Sequence, residues 1–130
     1  MKTMEHEEIT GMIIQAAYRV HNTLGAGFLE KVYHNAMLIE LRDMGLQVES
    51  ELPIPVYYKN ILVSDYSADL FVENCVITEL KAVEQVHTSH EVQLVNYLTG
   101  TKVDIGLLIN FGTSVTIKRK YRIYKKNSEE

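Results

Sequence analysis

From Glu8 to Thr23 the apolar residues Ile9, Met12, Ile13, Ala16, Ala17 and Val20 recur at three- and four-residue steps, which lines them along one face of a helix. Leu24-Gly25-Ala26-Gly27 interrupts that pattern, because two glycines raise the cost of continuing a helix and readily form a left-handed cap or turn. The spacing predicts a second helix from about Phe28 to Met44, with Leu29, Val32, Ala36 and Ile39 inward, Leu41 a further inward candidate, and Gly45 as its stop.

Beyond Gly45 the period changes. Val48, Pro53, Ile54, Val56, Tyr57 and Tyr58 suggest an extended segment whose prolines confine part of it to an edge or bulge, and Lys59-Asn60 suits a turn. Two more strands are predicted, Ile61 to Val72 and Cys75 to Ala82, separated by Glu73-Asn74. Ser89 suits the cap of a third helix running through Leu98 and ended by Gly100, before strands from Ile105 to Phe111 and from Val115 to Tyr124. The order is α-α-β-β-β-α-β-β, an α/β (α+β) pattern. A chain of 130 residues suits one core, and no repeat, low-complexity block or long linker divides it, so residues 1–130 are expected to form a single domain.

The segment from Cys75 to Val83 is apolar at successive positions, as expected of a strand covered on both faces, and Glu79 and Lys81 interrupt it. With a period of two they share a face, and burying either charge unpaired would cost on the order of several kcal/mol. An isolated Glu-x-Lys triplet is most often a solvated ion pair. Asp69 alters that reading, because it lies ten residues before Glu79, an even separation that allows both onto one face of a hairpin. A two-residue Glu73-Asn74 turn would set Thr78 opposite Asp69. A three-residue Glu73-Asn74-Cys75 loop, or an equivalent bulge, would pair Val72 with Val76 and set Glu79 opposite Asp69; this register is the expected one. Two opposed carboxylates repel unless a cation lies between them, and hard oxygen donors suit Mg²⁺ or Mn²⁺.

Glu30 and Tyr33 open the second helix on adjacent positions of one face, although a glutamate in a first turn also serves as a partner of the helix dipole. Gln93 and Tyr97, four apart with Asn96 beside them, form a polar face opposite Val92, Val95 and Leu98, either turned to solvent or leaning over the carboxylates. His87 and His90 lack a convincing third zinc ligand, His34 is expected to be exposed, and His21 stays open because it lies close to the Gly27/Glu30 segment.

Composition narrows the setting. A single cysteine, Cys75, excludes an intramolecular disulfide and any multi-thiolate metal site, and with an acidic N-terminus and no stretch long enough to span a bilayer, no membrane partner and a reducing, cytoplasmic location are expected. The net charge of −4 conceals an asymmetry: residues 1–117 hold 7 Lys+Arg against 15 Asp+Glu, whereas residues 118–130 form a basic tail with Lys118, Arg119, Lys120, Arg122, Lys125 and Lys126. Such a cluster either touches phosphates or marks a solvated edge strand, and the edge strand is the favoured reading.

Taken in order, Gly27-x-x-Glu30-x-x-Tyr33, Ala68-Asp69, Glu79-Leu80-Lys81 and Gln93-x-x-x-Tyr97 resemble the small GxxExxY family of the PD-(D/E)XK nuclease superfamily, over roughly Ile9 to Phe111. Ala68 replaces the proline of the superfamily name, a residue that only shapes the strand there. The resemblance implies a restriction-endonuclease-like core with a mixed β-sheet flanked by helices, and a Mg²⁺ or Mn²⁺ ion held by Asp69, Glu79 and the backbone carbonyl of Leu80. It implies that Lys81 orients or activates the attacking water, that Glu30 binds a water or a second metal, and that Gln93 and Tyr97 position ligands or substrate. The family implies no well-defined substrate; the expected activity is a metal-dependent nuclease acting on DNA, with RNA in second place, and the alternative is a non-catalytic assembly or nucleic-acid-binding module. A homodimer, or a partner protein that delivers substrate, completes the expectation.

Overall fold

The computed structural model describes residues 4–124. Along them run α1 (His6–Leu24), α2 (Glu30–Asp43), β1 (Val48–Tyr58), β2 (Ile61–Val72), β3 (Val76–Lys81), α3 (Thr88–Thr101), β4 (Ile105–Phe111) and β5 (Val115–Tyr121). The strands form one sheet in the order β1-β2-β3-β4-β5, antiparallel throughout except for the parallel β3–β4 pair that the α3 crossover connects. Alternate residues of β3 and β4 divide the core. Val76, Leu80, Leu107 and Ile109 pack under α1 and α2, and Ile77 and Leu108 pack under α3. No described helix is long and apolar enough to cross a membrane.

The α1 face follows the three- and four-residue spacing, with Ile9, Ile13, Ala16, Ala17 and Val20 buried. The α2 face does not follow the prediction. Tyr33, Met37 and Leu41 are its buried line, whereas Leu29 (80% exposed), Val32 and Ile39 (64% exposed) face outward. The cause is Tyr33, whose hydroxyl donates to the Gly25 carbonyl over 2.7 Å and accepts from the Phe28 N–H over 3.3 Å, while its ring stacks on Phe111 at 4.5 Å and 5°. That anchor rotates α2 and closes the glycine turn, in which Gly25 and Gly27 both have positive φ.

In α3 the N-cap is His87, not Ser89, and His90 reaches back to accept from the His87 N–H at 3.4 Å. Gly100 lies inside the helix, which ends at Lys102 in the left-handed conformation. A glycine costs a helix only about 1 kcal/mol, and docking outweighs it: Leu94 and Leu98 press so closely on β4 that a Cβ on Gly106 would lie 2.9 Å from Leu94 Cδ1. The buried face is Leu94, Tyr97 and Leu98: Leu98 lies inward and Asn96 outward as expected, whereas Tyr97 turns to the sheet and Val92 is exposed.

The β2–β3 loop has three residues, Glu73-Asn74-Cys75, and Val72 pairs with Val76 as the expected register requires. Pairing continues to Leu70 and Thr78 and stops there. At the same level the β1–β2 ladder skips from Ser50↔Leu70 to Leu52↔Ala68, and Glu51 takes φ 57. Val48 and Leu70 pack under α1 and α2, yet Leu52, Ile54 and Ala68, of the same parity, pack under α3. The β1–β2 ribbon therefore rolls over at Glu51 and Asp69 and parts from β3, running on to a tight turn at Lys59-Asn60.

At the other edge, β5 carries Lys118, Arg119 and Lys120. Lys120 pairs with Glu91 and Arg122 with Asp104, and Arg119 bonds the Thr10 hydroxyl, an arrangement that matches the edge-strand reading. Lys125 and Lys126, with the rest of 125–130, lie outside the described residues.

Candidate active site

Where β2 parts from β3, two carboxylates replace the missing ladder. The Asp69 N–H donates to Glu79 Oε2 over 3.1 Å, and the Leu80 N–H donates to Asp69 Oδ2 over 2.7 Å. The strand ends thus hold two acids face to face and leave Asp69 Oδ1 and Glu79 Oε1 free of these bonds. Burial pushes Glu79 up to about 8, and the charge of Asp69 adds to the effect. Burial also raises Asp69, against the opposing pull of the Leu80 N–H, His34 and Lys81.

Lys81, two residues after Glu79 on the same strand face, pulls down the pKa of Glu30, Asp69 and Glu79 alike against the burial that raises them. Among the described residues it forms no ion pair. Glu30 opens α2 beside this group, its carboxyl raised chiefly by burial and then by Asp69. Its position follows from the Tyr33 anchor one turn on. Tyr33 itself is fully buried, its hydroxyl occupied by Gly25 and Phe28. Glu30, His34, Ser50, Glu51 and Asp69 line a cleft of about 400 Å³.

On α3, Tyr97 packs with Ile77 of β3, and its hydroxyl is pushed up to about 12 by burial and by the charges of Glu79, Tyr66 and Asp69. Gln93, four residues earlier, lines a groove with Tyr97 and not the carboxylate cleft. His21 lies elsewhere, bonding the Gly112 carbonyl at 2.9 Å beside Phe111.

A family model of the PD-(D/E)XK nuclease superfamily matches residues 7–123. The chain belongs to the PD-(D/E)XK nuclease superfamily. Its fold is similar to the crystal structure of SSO0001, at a TM-score of 0.58 and 16% identity over 92% of this chain and 60% of that one, so the chain spans three fifths of that protein's length. No curated protein matches it.

The superfamily implies a divalent metal, and the residues present fit one. Among the described residues no three His, Cys, Asp or Glu side chains form a ready-made cage. Mg²⁺ needs none, since it is commonly held by one or two carboxylates with waters completing its shell. The proton that burial and Asp69 impose on Glu79 is one that a cation between the acids would displace.

His34 is the residue the sequence reading missed. It lies with only 14% of its side chain exposed, with Nδ1 3.7 Å from Asp69 Oδ1 and Nε2 2.8 Å from Ser50 Oγ. Its signal was present, for His34 follows Glu30 by four residues and so lies on the same helix line. Glu51 and Tyr66, by contrast, arrive through the roll of the ribbon, which local spacing does not encode.

Proposed function

We propose that this PD-(D/E)XK protein is a divalent-metal-dependent phosphodiesterase of the GxxExxY kind that cleaves DNA, with RNA the second choice. The observation that carries this reading is the crossed pair of Asp69 and Glu79 at the parting of β2 and β3, with Lys81 two residues after Glu79 on the same strand face. Asp69, Glu79 and the Leu80 carbonyl would hold Mg²⁺ or Mn²⁺, and Glu30 would hold a water or a second ion. When bound, the cation supplies charge stabilisation at the phosphodiester and a more acidic water. Lys81 sets a positive charge beside the attacked phosphate and orients the water, a task that metal binding alone does not require. His34, itself held by Ser50, steadies Asp69. Gln93 and Tyr97 position the strand. The acidic body disfavours a tight, autonomous grip on duplex DNA, so the substrate is a single strand, an end, or one delivered by a partner in the cytoplasm.

The test is incubation with labelled single- and double-stranded DNA and RNA in Mg²⁺ or Mn²⁺, beside Asp69→Ala and Lys81→Ala. Cleavage by the wild type that both variants lose is the expected result. No cleavage above the variants on any substrate would sink the enzyme reading.

The exposed apolar ribbon tip, with Tyr57, Tyr58, Ile61, Leu62 and Val63, favours a second reading, an assembly module that pairs as a homodimer. Sedimentation of the wild type beside Leu62→Asp tests it, since a dimer that the variant dissolves supports the module and a monomer in both removes it.

A further inference from the structure

A groove of about 730 Å³ opens between the β1–β2 ribbon and α3, lined among others by Ile54, Val56, Tyr66, Gln93, Asn96 and Tyr97. Sites for small molecules span roughly 300–1,000 Å³. We propose that this groove receives an unpaired nucleobase of a single-stranded substrate, beside the phosphodiester that the carboxylates engage, an inference that rests on the phosphodiesterase reading above.

Three features carry it. The groove shares a wall with the acids: Tyr97 lines it and packs with Ile77, whose strand face continues into Glu79 and Lys81. The Tyr66 ring, 52% exposed, leans on Tyr97 with centroids 5.9 Å apart and offers a face on which a base can stack. Gln93 and Asn96 supply amide donors and acceptors for a base edge, and none of the described lining residues is charged. A neutral lining suits a base and leaves the phosphate outside.

Charge points the same way. With a net charge of −4, and its basic residues concentrated after residue 117, the protein has few cations with which to track a backbone. Stacking must then hold the strand. A base in a duplex must first be unstacked and flipped out before it can enter, which favours a single strand, and a purely apolar peptide would leave the two amides unused.

Fluorescence anisotropy of a labelled oligothymidine in EDTA, where no cleavage occurs, tests this with the whole chain. Tyr66→Ala is expected to weaken binding about tenfold, the scale of one base stack, and Tyr66→Phe to retain it. A single abasic residue moved along the strand should cost the wild type a similar factor at one position and cost Tyr66→Ala nothing further. Tyr66 is exposed, so its replacement spares the fold. Unmeasurable binding, indifference to Tyr66→Ala, or an abasic scan with no sensitive position overturns the proposal and leaves the groove to a protein segment. Cleavage of the same oligonucleotide in Mn²⁺ is scored separately, so its absence defeats the phosphodiesterase reading without being mistaken for failure of the base site.

Discussion

The backbone N–H of Asp69 donates to the carboxylate of Glu79 over 3.1 Å, at the level where the β2–β3 ladder has just ended. An acid held this way is buried beside a second acid, and its proton is retained to about 8 against the ordinary 4.5. The folded chain therefore binds that proton more tightly than the unfolded chain does, and metal-free stability must fall as pH rises from about 5 through 8. Asp69 and Glu30, also raised, act in the same direction. Thermal melts in EDTA should show this slope, and Glu79→Gln should flatten it. A melting temperature that climbs across the window would contradict the burial of Glu79.

His34 is expected to matter through Asp69. Removing an outer partner of a metal ligand commonly costs about 10–100-fold in affinity. His34→Ala should lower Mn²⁺ affinity on that scale in a calorimetric titration and leave the far-UV dichroism unchanged. An unaltered affinity would reduce His34 to a surface contact.

Tyr33→Phe removes the hydroxyl that ties Gly25 and Phe28 to α2 but keeps the ring on Phe111. The loss leaves the Gly25 carbonyl without this donor and is expected to cost about 1–2 kcal/mol in urea unfolding. The same variant should lose activity, since the turn it loosens places Glu30. Unchanged stability would show that ring stacking alone positions the helix.

Thr78 is fully buried, and its hydroxyl has no hydrogen-bond partner among the described residues. Valine has the same shape without the unpaired oxygen, so Thr78→Val should stabilise the chain by about 1 kcal/mol. A raised urea midpoint with an unchanged slope is the expected outcome.

Strands and the hairpin register were legible because local rules decide them: the span of β2, its three-residue loop and the opposition of Asp69 to Glu79 all follow from alternation and turn chemistry. Helix faces were less so. Leu29 and Ile39 look like core residues by hydropathy, yet Tyr33 and Met37 take the interior because Phe111, far along the chain, receives the Tyr33 ring. Ser89 and Gly100 are sound end signals that docking of Leu94 and Leu98 overrode. The roll at Glu51 brings the Tyr66 ring against Tyr97 and has no local signal at all, since Glu51 is an ordinary residue in an uncommon conformation.

The central claim is that Asp69 and Glu79 together hold a divalent cation, and calorimetric titration of Mn²⁺ into the wild type beside Glu79→Ala tests it most directly. The wild type should bind with a saturable heat that Glu79→Ala abolishes, whereas equal binding by the two proteins, or none by the wild type, would contradict the site.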